Sequence, residues 1–76
     1  MNRRERLEKL DQVITLTRQY FVFGYHGGTR YMIESYISKK TGQNIDPILI
    51  SAALQILKGN GAILRQKNVW WYIADK

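Results

Sequence analysis

The chain has 76 residues, enough for one small hydrophobic core, so a second domain is excluded and 1–76 reads as a single domain. It contains no cysteine, which removes disulfides, thiolate metal sites and cysteine nucleophiles together and makes a reducing compartment, the cytoplasm, the expected location. Twelve Lys plus Arg against six Asp plus Glu give a formal charge of +6, and 45% of the residues are hydrophobic; intrinsic disorder is excluded and polyanions are the expected partners.

Residues 3 to about 19 read as a first helix. Leu7, Leu10, Ile14 and Phe21 recur at spacings of three, four and seven, and Val13 and Tyr20 widen the stripe. The opposite face mixes Arg3, Arg4, Arg6, Lys9 and Arg18 with Glu5, Glu8 and Asp11, the pattern of a solvated surface. No run approaches the roughly 18 apolar residues of a spanning helix, so no membrane association is expected. The next stretch, Tyr20 to Tyr25, is aromatic and β-branched and stops at Gly27-Gly28, which predicts a short strand.

Thr29 is the expected N-cap of a second helix, with Met32, Ile33, Tyr36 and Ile37 facing inward. Lys39 and Lys40 in its last turn oppose the helix dipole, and Gly42 ends it. Asp46-Pro47 opens a third helix running to about Lys58: the carboxylate caps free amides, and proline in the first turn needs no amide partner. Only Gln43, Asn44 and Ile45 separate this cap from the end of the second helix, the spacing of a helix-turn-helix.

After Gly59-Asn60-Gly61 the period changes to alternation. Ala62 to Arg65 and Val69 to Ile73 flank the polar Gln66-Lys67-Asn68, which predicts a β-hairpin with a three-residue loop and Asn68 in the left-handed conformation. In that register Ile63, Val69, Trp71 and Ile73 face the core, while Trp70 and Tyr72 face outward beside the hairpin's cations. No acidic residue occurs from Pro47 through Ala74, although Lys58, Arg65 and Lys67 fall within that stretch.

The segment Ile50-Ser51-Ala52-Ala53-Leu54-Gln55-Ile56-Leu57-Lys58-Gly59-Asn60-Gly61-Ala62-Ile63-Leu64-Arg65 resembles the third helix and first wing strand of the winged helix-turn-helix family of nucleic-acid-binding domains. An Ala-Leu pair, a later Leu, and a Gly before a strand Ile recur there at this spacing. The resemblance implies an α+β fold: three helices with a small antiparallel sheet, in the order helix, short strand, helix, helix, hairpin. It implies that the third helix enters a major groove of double-stranded DNA while the wing rests on the adjacent backbone or minor groove.

Carried onto this chain, Ser51 and Gln55 are the base-reading candidates, Gln55 having the geometry for adenine. Arg30, Lys39, Lys40, Lys58, Arg65 and Lys67 are the phosphate-binding candidates, with Trp70 beside them. The third helix is nevertheless a poor reader of sequence. Ile48, Leu49, Ala52 and Ile56 cannot all point inward together with Ile50, Ala53, Leu54 and Leu57. That surplus apolar surface is the expected interface of a homodimer or of a protein partner.

Two further readings stand beside duplex binding. The domain is a protein-interaction module or inhibitor acting through its third helix, or it binds single strands or RNA by stacking on Trp70 and Tyr72. Chemistry is not expected: His26, the one histidine, has neither cysteine nor carboxylate near it in sequence to build a metal site or a triad. Gly27-Gly28-Thr29-Arg30 at a helix start has the amides for a single anion but lacks the lysine and spacing of a P-loop. A small regulator or accessory factor without enzyme activity, catalytic residues, metal, cofactor or small-molecule substrate is therefore expected.

Overall fold

The computed structural model describes residues 3–73. Helix α1 spans Arg3–Gln19 and buries Val13 and Thr17, with Leu10, Ile14 and Leu16 partly covered beside them. The Thr17 hydroxyl donates to the Val13 carbonyl at 2.7 Å, so its complete burial leaves no polar atom unpaired. Leu7 does not join the stripe. It is 58% exposed and lies in the stretch 3–8, all of which faces solvent.

The chain does not leave α1 as a strand. Tyr20–Gly24 continues the helix as a π turn, closed by the Tyr25 amide donating to the Tyr20 carbonyl at 2.9 Å. Packing decides this. Tyr20 and Phe21 are sequence neighbours and both are buried to 1% exposure. A strand would send them to opposite faces, whereas helical neighbours lie about 100° apart and can share one core.

The first strand is instead β1, Gly27–Gly28, where both residues need to be glycine. A Cβ on Gly27 would meet the Trp71 ring at 2.6 Å, and one on Gly28 would collide with the Tyr20 hydroxyl. That hydroxyl donates to the Gly27 carbonyl at 3.1 Å and so ties β1 to the end of α1.

Helix α2, Arg30–Thr41, starts and stops where the sequence signals lie. Thr29 accepts from the Met32 amide, and Gly42 adopts the left-handed conformation at φ 69° while its amide donates to Ser38. Ile33 and Ile37 are fully buried and Tyr36 half-buried. Met32, expected inside, is 47% exposed, because it sits on the flank of the stripe away from Ile37. Helix α3, Pro47–Gly59, begins with Asp46 Oδ1 accepting from the Ile48 amide at 2.9 Å. Its inner face, Ile50, Ala53, Leu54 and Leu57, packs on α1 and forms the centre of the core.

Strands β2, Ile63–Gln66, and β3, Val69–Tyr72, form the hairpin, and β1 adds to the other edge of β3. The three-stranded antiparallel sheet has the order β1-β3-β2. Three helices and this sheet make an α+β, winged-helix-like layout.

The hairpin register differs by one residue from the one the sequence predicts. Its loop is Lys67-Asn68, and Lys67, not Asn68, takes the positive φ of 58°. Ile63 then pairs with Tyr72 and Arg65 with Trp70. Because side chains alternate between faces, this slip exchanges the two faces of β3, while Ile63 on β2 is buried at 2% exposure as expected. Trp70 turns inward at 6% exposure and Tyr72 is half-buried, while Trp71 and Ile73 are 44% and 41% exposed and Val69 is half-buried.

Candidate nucleic-acid interface

A cleft of about 370 Å³ opens between the start of α2, the solvent side of α3 and the hairpin. Among the expected residues it gathers Arg30, Ser51, Gln55, Arg65 and Trp70. Each is placed by an identifiable local cause. Capping by Thr29 makes Arg30 the first residue of α2. Ser51 and Gln55 are one turn apart on α3, beside the buried Leu54 that also lines the cleft. Arg65 faces Trp70 across the strands.

Arg65 is the best-held of these groups. Its Nε donates to the Lys67 carbonyl at 3.1 Å and its Nη2 to Asn68 Oδ1 at 3.4 Å. The guanidinium carbon stands 5.6 Å from the centroid of the Trp70 ring. An arginine with this many anchors loses little side-chain freedom when an anion reaches it. Among the described residues, no carboxylate lines the cleft. Its charged groups, Arg30 and Arg65, are both cationic and exposed.

The burial of Trp70 corrects the expected stacking surface. Trp70 offers little ring area to a base, and its place is beneath the Arg65 guanidinium. Tyr72 stacks with His26 at 6.0 Å between ring centroids. The open aromatic of the hairpin is Trp71, on the other face of the sheet against Gly27. His26 otherwise acts through its backbone, its carbonyl accepting from the Tyr72 amide at 2.8 Å.

The other expected cations are exposed but lie outside the cleft walls. Lys39 and Lys40 occupy the last turn of α2, with the Lys40 ammonium 5.6 Å from the Tyr36 ring centroid. Lys58 is in the last turn of α3, and Lys67 is in the hairpin loop. Of the expected interface residues, Ile48 is 74% and Ile56 38% exposed, Ala52 is half-buried, and Leu49 is half-buried against the core.

Sequence reasoning missed Tyr31 and Asn68, which also line the cleft. Tyr31 carried a signal, since it follows the cap by two residues and falls outside the apolar stripe of α2. The Asn68 contact depends on the two-residue loop. Burial pushes the Tyr20 phenol above its ordinary value of 10.0, and the neighbouring Tyr25 adds to the rise.

Among the described residues, no group of three or more His, Cys, Asp or Glu is placed to hold a metal ion. None of their helices is long and apolar enough to cross a membrane. Compared with protein-family models, with curated proteins and with solved structures, the chain matches none.

Proposed function

We propose that this chain binds double-stranded DNA through α3 and the hairpin, as a small regulator or accessory factor that performs no catalysis. One observation carries the reading: Arg30, Ser51, Gln55 and Arg65 converge on a single cleft beside α3 that no carboxylate of the described residues lines. Arg30 and Arg65 engage phosphates, Lys58 and Lys67 extend the contact along the backbone, and Gln55 and Ser51 meet base edges. Ile48, exposed on the same helix, supplies apolar contact to thymine methyl groups.

A salt titration of duplex binding tests this. Arg30, Lys58, Arg65 and Lys67 each neutralising one phosphate give a slope of about −3.6 in log affinity against log salt. Raising salt from about 50 to about 200 mM then weakens binding about 150-fold. Arg65→Ala should make the slope shallower by about 0.9, while Arg65→Lys keeps the slope and loses the guanidinium's anchored geometry. Absence of duplex binding at low salt would overturn the proposal.

A second reading rests on Ile48, whose 74% exposure is high for an isoleucine at a helix start. With Ala52 and Ile56 one and two turns further on, it forms a stripe suited to a protein partner or a second copy of the chain. Ile48→Glu separates the two readings. It abolishes assembly under the second, measured by sedimentation, and under the first it weakens DNA binding with no change in mass.

A further inference from the structure

Tyr31 forms a wall of the α3 cleft and also of a neighbouring groove of about 380 Å³ along the exposed side of α2. The buried Tyr20 lies at the bottom of this groove. Tyr25 packs against it at 5.1 Å between ring centroids, tilted by 33°, and Tyr36 meets it edge-on at 5.4 Å. Tyr25, Tyr31 and Met32 remain 55%, 72% and 47% exposed. So much open aromatic surface in so small a domain marks a binding site more often than a solvated face.

Charge indicates what fits. Lys39 lines the groove, the Arg30 guanidinium stands 5.5 Å from the Tyr31 ring centroid, and the Lys40 ammonium stands 5.6 Å from that of Tyr36. Glu34, the acid of α2, is not among the walls. A purely apolar protein partner would have to cover these cations without compensation, at a desolvation cost. Unpaired bases on a phosphate chain match both features, because every base has a flat face for an aromatic ring and every linkage carries a negative charge. Duplex bases are already stacked on each other and have no free face to offer.

We propose that this groove binds single-stranded nucleic acid, with bases stacking on Tyr25 and Tyr31 and phosphates held by Arg30, Lys39 and Lys40. The shared wall at Tyr31 leads from the α3 cleft into the groove, so a strand leaving a duplex end meets it directly. The single-strand site does not depend on duplex binding in the cleft.

Fluorescence anisotropy of the full chain with labelled oligo-dT and oligo-U of about twelve nucleotides, and with a blunt duplex, tests it. Tyr25 serves as the probe position because it lines the groove but not the cleft. Tyr25→Ser should weaken both oligonucleotides about tenfold, Tyr25→Phe should keep the affinity, and the blunt duplex should be unaffected. Lys39→Gln with Lys40→Gln should make the single-strand salt slope shallower by about 1.4. Unchanged oligonucleotide binding in Tyr25→Ser, an equal loss for the duplex, or no oligonucleotide binding at low salt would each overturn the proposal. Equal binding of oligo-dT and oligo-U supports recognition of bases and phosphates alone, and a preference for one supports the same site with an added sugar or methyl contact. If the duplex never binds while Tyr25-dependent single-strand binding persists, the cleft reading falls and the groove stands.

Discussion

Gly28→Ala should be among the most damaging one-carbon changes available in this domain. Gly28 has no left-handed φ, so its backbone accepts alanine, and the cost is steric. The added Cβ would collide with the hydroxyl of Tyr20, a ring at 1% exposure held between Phe21, Tyr25 and Tyr36. Overpacking of this kind costs about 1–3 kcal/mol. Displacing the ring also breaks its hydrogen bond to the Gly27 carbonyl, about 1 kcal/mol more. Reduced freedom of the unfolded chain returns at most about 1 kcal/mol. The net loss is about 1–4 kcal/mol, which for a domain of this size lowers Tm by about 4–30 °C.

Thermal unfolding followed by circular dichroism measures this, with Tyr20→Phe and the double variant completing a cycle. Tyr20→Phe alone should cost about 1 kcal/mol, the lost hydrogen bond. In the double variant the hydroxyl is gone before the methyl arrives. Its destabilisation should therefore fall short of the sum of the single variants by at least about 1 kcal/mol. Gly59→Ala is the control, because a Cβ there meets nothing within 4 Å and helical alanine is favoured over glycine. An unchanged Tm for Gly28→Ala, or additivity of the cycle, would refute the packing described for β1.

Two further outcomes follow from single contacts. Asp46→Ala should cost about 1 kcal/mol by removing the Ile48 amide's acceptor, with Asp46→Asn retaining most of the stability in the same melt. The raised phenol of Tyr20 makes the fold sensitive to alkali. The folded state holds this proton at a pH where the unfolded chain has released it, so stability is intact below pH 10.0 and declines as pH rises through the folded value. Urea unfolding between neutral and alkaline pH should show this decline, and Tyr20→Phe should flatten the part due to this group.

Thr29, Gly42 and Asp46-Pro47 were legible because each signal and the bond it makes lie within four residues of one another. The helices of the candidate site therefore follow from the sequence, as does the cationic character of its surroundings. Arg30, Ser51, Gln55 and Arg65 were legible as candidates, but nothing local brings α2, α3 and the hairpin together. The π turn at Tyr20–Gly24 was not legible either, since its aromatic, β-branched residues favour a strand until two adjacent rings must enter one core.

The amino-acid order alone determined the three helices, their caps, the presence of a hairpin and the acid-free basic stretch from Pro47 through Ala74. Tertiary packing decided the hairpin's register, and with it which tryptophan is buried, because a shift of one residue exchanges the two faces of a strand at almost no local cost. The core accepts Trp70 at 6% exposure beneath Arg65, while Gly27 leaves room for the Trp71 ring on the opposite face. That choice is made by contacts between residues some forty positions apart, and no window of sequence around the hairpin contains both partners.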